Sequence, residues 1–85
     1  MDNVNDLNGN DLSLHSYFDQ SQNQVIVCNA SGNETMKVYD MGGRLIMEHS
    51  VDPGKNSFSW DIKGVFIVAV AGKDQIKTTK FVCGN

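Results

Sequence analysis

The sequence predicts an all-β domain, a sandwich or barrel of about seven short strands. Two observations carry that prediction. Residues 65–71 form a run of seven side chains without a polar group between Gly64 and Gly72, and four of them, Val65, Ile67, Val68 and Val70, are β-branched. A run so short and so branched reads as a strand covered on both faces rather than a helix, because branched side chains pack well on a pleated surface. The second observation is alternation: the other periodic segments alternate apolar and polar residues and stop at clusters of Gly, Asn, Asp or Pro.

In chain order, residues 1–11 are nearly all Asp, Asn and Gly, with Val4 and Leu7 as isolated aliphatics. They cannot bury enough surface to offset the entropy of ordering, so a flexible segment is expected ahead of a single domain spanning 12–85. A calcium loop centred on Gly9 fails, because Val4 and His15 would stand where carboxylates are needed. Residues 12–17 alternate as a first strand, residues 19–23 turn, and residues 24–28 form a second strand. Residues 29–33 are rich in types that tolerate left-handed backbone and read as another turn. The third strand, 35–39, places Met36 and Val38 on one face and Lys37 on the other.

Asp40 to Gly43 turns the chain, with two adjacent glycines supplying positive φ, and residues 44–51 return as the second arm of a hairpin. Pro53 and Gly54 suit a type II turn. Residues 57–62 show the cleanest period of two, which aims Phe58, Trp60 and Ile62 at the core and Ser57, Ser59 and Asp61 at water. After the central run, 72–74 is a short turn and 75–83 a last strand. The core expected from these patterns contains Val25, Val27, Val38, Leu45, Phe58, Trp60, Phe66, Val68 and Val70.

Eighty-five residues make one domain that buries roughly 63% of its extended surface, enough for a thin core without metal or staples. A net charge of −3 has the wrong sign and size for a nucleic-acid binder. No apolar run approaches the roughly 18–20 residues of a membrane span, and no secretory leader stands at the start. The cations gather late: Lys73, Lys77 and Lys80 face only Asp74 in the last fourteen residues. Lysines on a closing strand discourage strand addition at a sheet edge, or they present charge to a receptor.

Catalytic chemistry is not visible. His15 and His49 are lone histidines without a His or Cys at ligand spacing, and the carboxylates sit mainly in turns, where Asp belongs for hydrogen bonding. No glycine loop leads from a strand to a helix, as a phosphate site requires. Asn29-Ala-Ser31 and Asn33-Glu-Thr35 match the glycosylation tripeptide by chance in an Asn-rich turn. Cys28 and Cys83 either pair, closing a loop of about 56 residues worth ~4 kcal/mol, or stay separate as small apolar residues; the separate, reduced state is the favoured reading. No catalytic, cofactor-binding or metal-binding residue is assigned, and no enzyme is expected.

The hairpin from Met36 to Ile46, with Tyr39 and Asp40 before the turn and Gly43, Arg44, Leu45 and Ile46 after it, resembles the C-terminal sorting domain of the type IX (Por) secretion system. Gly64 and Phe66 match that family's glycine and aromatic opening an apolar strand. Lys77 and Lys80, ahead of Phe81 and Val82, match its lysine-bearing closing strand. The order holds over residues 12–82. The chain departs from the family pattern at residues 17–21, where a Pro-Asn-Pro-like segment is usual, and at its end, which carries no final basic residue.

The resemblance implies an immunoglobulin-like antiparallel β-sandwich that acts as a non-catalytic export signal. It would be exported to the periplasm or outer-membrane surface and be read there by secretion-machinery proteins of the outer membrane; separately from the resemblance, a monomer is expected. The alternative is a small exported β-sandwich module for adhesion or for glycan or protein binding, with no signalling role.

Overall fold

The computed structural model describes residues 13–84. The segment expected to be flexible, 1–11, lies outside the described residues, as does Leu12. Among the described residues the chain forms seven strands: β1 (His15–Asp19), β2 (Gln24–Ala30), β3 (Thr35–Asp40), β4 (Leu45–Ser50), β5 (Gly54–Ser59), β6 (Gly64–Ala71) and β7 (Ile76–Cys83). They form two antiparallel sheets, a three-stranded one in the order β1-β2-β5 and a four-stranded one in the order β4-β3-β6-β7. The domain is a β-sandwich.

Three connections are hairpins within a sheet, β1–β2, β3–β4 and β6–β7, and the three between them cross from one sheet to the other. In the constant-type immunoglobulin arrangement the fourth strand lies beside the fifth; here it has moved to the opposite sheet. The tight turn after Asp40 accounts for the move, because it lays β4 directly against β3, with Lys37 opposite Glu48 and Val38 opposite Met47.

The core fills the space between the sheets. Val25 and Val27 from β2 meet Met36 and Val38 from β3 and Val68 and Val70 from β6, all fully buried. Phe66, Trp60 and Phe81 close one end. As the alternation predicts, Val25, Val27, Val38, Trp60, Phe66, Val68 and Val70 all lie in this core.

Four expectations are corrected. β5 begins at Gly54, inside the expected turn, and stops at Ser59, so Trp60 is buried beyond the strand and Ile62 is 47% exposed. The main-chain N–H of Trp60 donates to Asn23 O (2.9 Å) and its indole Nε1–H to Ile62 O (3.0 Å), which curls the chain away from the sheet after one residue. Phe58 is only half-buried at the core margin, where it stacks on His49 at 5.0 Å. Leu45 is 45% exposed because a bulge at Ile46 shifts the register, setting Leu45 opposite Tyr39 while Met47 remains opposite Val38.

The fourth concerns β6, which is central in its sheet but covered by another layer on one face only. Phe66, Val68 and Val70 point into the core, whereas Val65 and Ile67 are half-buried among side chains of β3 and β7. Two smaller boundary shifts accompany these: β1 starts later and runs further than expected, and β2 continues to Ala30. A bulge lies between Val27 and Ala30, where Asn29 adopts φ 62°.

Candidate functional site

The β3–β4 turn is built by one carboxylate. Asp40 Oδ1 accepts the main-chain N–H groups of Gly42 and Arg44, each at 2.9 Å. The Gly43 N–H donates to Asp40 O, and the Asp40 N–H to Arg44 O, both at 3.0 Å. Arg44 Nε returns to Asp40 Oδ2 at 3.3 Å. The hydrogen bond from the Arg44 amide holds the Asp40 carboxyl below the usual carboxylate range, joined by that from Gly42 and by the Arg44 charge, against an opposing effect of desolvation. Gly43 has φ 87°, the left-handed conformation the turn requires. Tyr39 precedes the turn on the outer face of the sheet, between Leu45 and Ile67.

Gly64 and Phe66 serve the interior. Phe66 packs edge-on to Trp60 (centroids 4.9 Å, 72°) and tilted on Phe81 (5.6 Å). Gly64 has φ 136°, and a Cβ there would sit 3.3 Å from Phe66 Cζ. The glycine therefore leaves room for the ring that follows it by two residues.

Lys77 and Lys80 are both exposed on β7, an edge strand, and neither forms an ion pair among the described residues. Their sequence parity sends them to opposite faces. Lys80 lies opposite Ile67, so Leu45, Tyr39, Ile67 and Lys80 form one row across the outer face of the sheet. Lys77, opposite Val70, stands apart from that row. The eight motif positions thus divide into a self-contained turn, an exposed glycine with the buried ring it makes room for, and surface residues, rather than converging on one pocket.

Two grooves are present among the described residues, and Lys80 is the one motif position that lines either of them. One, of about 460 Å³, opens where the β2–β3 and β6–β7 connections meet, and Asn33, Asp74 and Gln75 line it together with Glu34. The Glu34 carboxylate is 6% exposed and already occupied: it accepts the Ser31 amide and hydroxyl (3.0 and 2.8 Å) and the Gly32 amide (3.1 Å). Burial pushes its pKa up, but these hydrogen bonds more than reverse that, and the net displacement is downward. Strand alternation and site motifs do not single out Glu34; the Ser-x-x-Glu spacing of a carboxylate reaching back to a hydroxyl is the signal that marks it.

The second groove, of about 450 Å³, separates the edges of β1 and β7. Phe18 and Phe81, stacked at 4.8 Å, lie at its base, and Tyr17, Lys80 and Val82 stand around it. Both cysteines are free thiols, and among the described residues no group of three or more His, Cys, Asp or Glu side chains could hold a metal ion. His15 Nδ1 lies 3.1 Å from Ser13 O, and His49 rests on Phe58. No helix among the described residues is long and apolar enough to cross a membrane. Compared with known proteins, the chain matches no family model, no curated protein and no solved structure.

Proposed function

We propose that this domain is a non-catalytic sorting and export signal of the kind read by type IX secretion machinery at the outer membrane. One observation supports the reading above others: the motif residues divide by role. Asp40, Gly43, Arg44, Gly64 and Phe66 each have a folding task, in a turn or in the aromatic cluster. Lys77 and Lys80 have none; they are exposed and contribute nothing to the core. Unpaired charge held along an edge strand is available for recognition by a partner of opposite sign.

The test is a transplant. A signal peptide, a reporter and residues 12–85 are fused in that order and expressed in a type IX-competent host. The expected result is reporter at the cell surface, lost when Lys77 and Lys80 are both changed to Gln while the domain stays folded. Surface substitutions of this kind shift stability by about 0.5 kcal/mol or less, so the two effects separate. Reporter held in the periplasm by every fusion overturns the reading. The polar groove at the Glu34 end favours the second reading, a small exported binding module, which that outcome would leave standing.

A further inference from the structure

We infer that the cleft between β1 and β7 receives an extended, carboxylate-bearing peptide segment of a partner protein, which adds as a strand to the edge of β7. The cleft is where the sandwich fails to close. β1 and β7 are both edge strands, and among the described residues no main-chain hydrogen bond joins them. They run in the same direction, Ser16 beside Thr79 and Phe18 beside Phe81. At the first of these levels they are bridged by side chains: Ser16 Oγ donates to Thr79 Oγ1 at 3.3 Å, and Thr79 Oγ1 lies 3.4 Å from Ser16 O. Beyond Thr79 the bridge ends and the cleft of about 450 Å³ opens.

The open stretch has the parts of a strand-addition site: unpaired edge main chain for affinity and side-chain pockets for selectivity. Its base is the stacked Phe18–Phe81 pair, and Tyr17 (42% exposed) and Val82 (50% exposed) offer apolar flanks. Among the described residues Lys80 is the single charged one lining it, in a chain of net charge −3. An apolar side chain against the rings with a neighbouring carboxylate on Lys80 is the complementary ligand.

Lys80 also argues against a second copy as occupant. Antiparallel pairing of two β7 edges about this point would bring lysine towards lysine, and edge lysines are a common device against such self-pairing. The inference does not rest on the export reading, since any extended acidic segment would serve.

The experiment pans the full chain against a phage library of random linear peptides about seven residues long, matched to an ordinary strand. A synthetic copy of the dominant binder is then titrated into isotope-labelled protein. Binders should be enriched in Asp or Glu and should shift the amides of residues 16–20 and 79–82. They should bind Lys80→Glu roughly tenfold more weakly, a loss of the size expected for one charged contact. Tyr17→Ala provides a second reading of the same cleft and should also weaken binding. Failure to select a binder, shifts confined to other residues, or an affinity unchanged by both substitutions overturns the inference. Amides of 79–82 that shift with protein concentration alone would make a second copy the occupant and overturn it as well.

Discussion

Glu34 and Ser31 close the β2–β3 crossover between them: the Ser31 amide lies 3.0 and 3.1 Å from the two carboxylate oxygens, and the Ser31 hydroxyl donates at 2.8 Å. The main-chain oxygen of Glu34 meanwhile accepts the Val51 N–H (3.3 Å), so one residue ties this crossover to the β4–β5 crossover. Removing a buried acceptor strands its donors, which costs more than the bond itself is worth. Glu34→Ala is therefore expected to lower unfolding stability by about 1–3 kcal/mol in urea at neutral pH. Glu34→Gln keeps one oxygen and should lose less.

Acid should weaken the domain through three carboxyls. Asp19 is held low chiefly by the Ser21 hydroxyl and Asp40 chiefly by the Arg44 amide; at Glu34 burial acts upward, and the Ser31 and Gly32 donors outweigh it. Each is more acidic folded than unfolded, so its ionised form favours folding. That contribution is complete above the unfolded carboxylate values of about 4 and is lost as pH falls through the depressed folded values. Melting temperature should hold between about pH 6 and 7 and fall below about pH 4. The gap between the parent protein and Glu34→Gln should narrow in the same range.

The strands are legible because they follow local rules, and the misplaced residues mark where a rule is broken by one residue. The alternation over residues 44–51 places Leu45 with Met47; the bulge at Ile46 reverses Leu45 alone, and nothing in the local pattern announces it. Likewise Phe58, Trp60 and Ile62 share a parity, but the strand ends at Ser59 and the hydrogen bond from Trp60 to Ile62 O bends the next turn outward. The Asp40 turn is readable because its acid, glycines and arginine are neighbours in sequence. The β1–β7 cleft is not, since it depends on which edges two sheets bring together, residues 16 and 79 being 63 apart.

Gly43 and Gly64 should respond differently to a side chain. At Gly43 nothing lies within 4 Å of where a Cβ would stand, so the penalty of Gly43→Val is backbone strain alone, about 1–2 kcal/mol. Gly43→Asn should recover much of it, because Asn tolerates left-handed backbone. At Gly64 strain at φ 136° is joined by the Phe66 ring 3.3 Å away. Gly64→Val should therefore be the more destabilising of the two, and equal denaturation midpoints would refute that ordering.

Both thiols should stay free when the folded protein is exposed to air. Cys28 lies opposite His15 at one end of β1, while Cys83 follows Phe81, which stacks on Phe18 towards the other end. Five residues of strand separate those levels, about 17 Å, far beyond disulfide reach. Thiol titration in denaturant after mild air oxidation should find two free groups per chain. An intramolecular disulfide in the mass spectrum would contradict this register.

Trp60 should be the most costly single truncation in the domain. It is 3% exposed and stands edge-on to Phe66 (4.9 Å) and Phe81 (5.8 Å), with Phe18 stacked behind Phe81. The four rings link β1, β6 and β7 to the β5–β6 crossover, so the indole joins both sheets. Trp60→Ala removes the largest ring and leaves a cavity that flanking strands cannot fill by a side-chain rotation, for a loss of about 3–5 kcal/mol. Trp60→Phe keeps an edge-to-face partner but strands the Ile62 carbonyl that accepts the indole N–H, so its cost should fall between the two. The parent protein should emit at the short wavelength of a buried indole and move to the long-wavelength maximum in a single transition with urea. Emission at the solvent-exposed wavelength before denaturant is added would place Trp60 outside the core and remove this prediction.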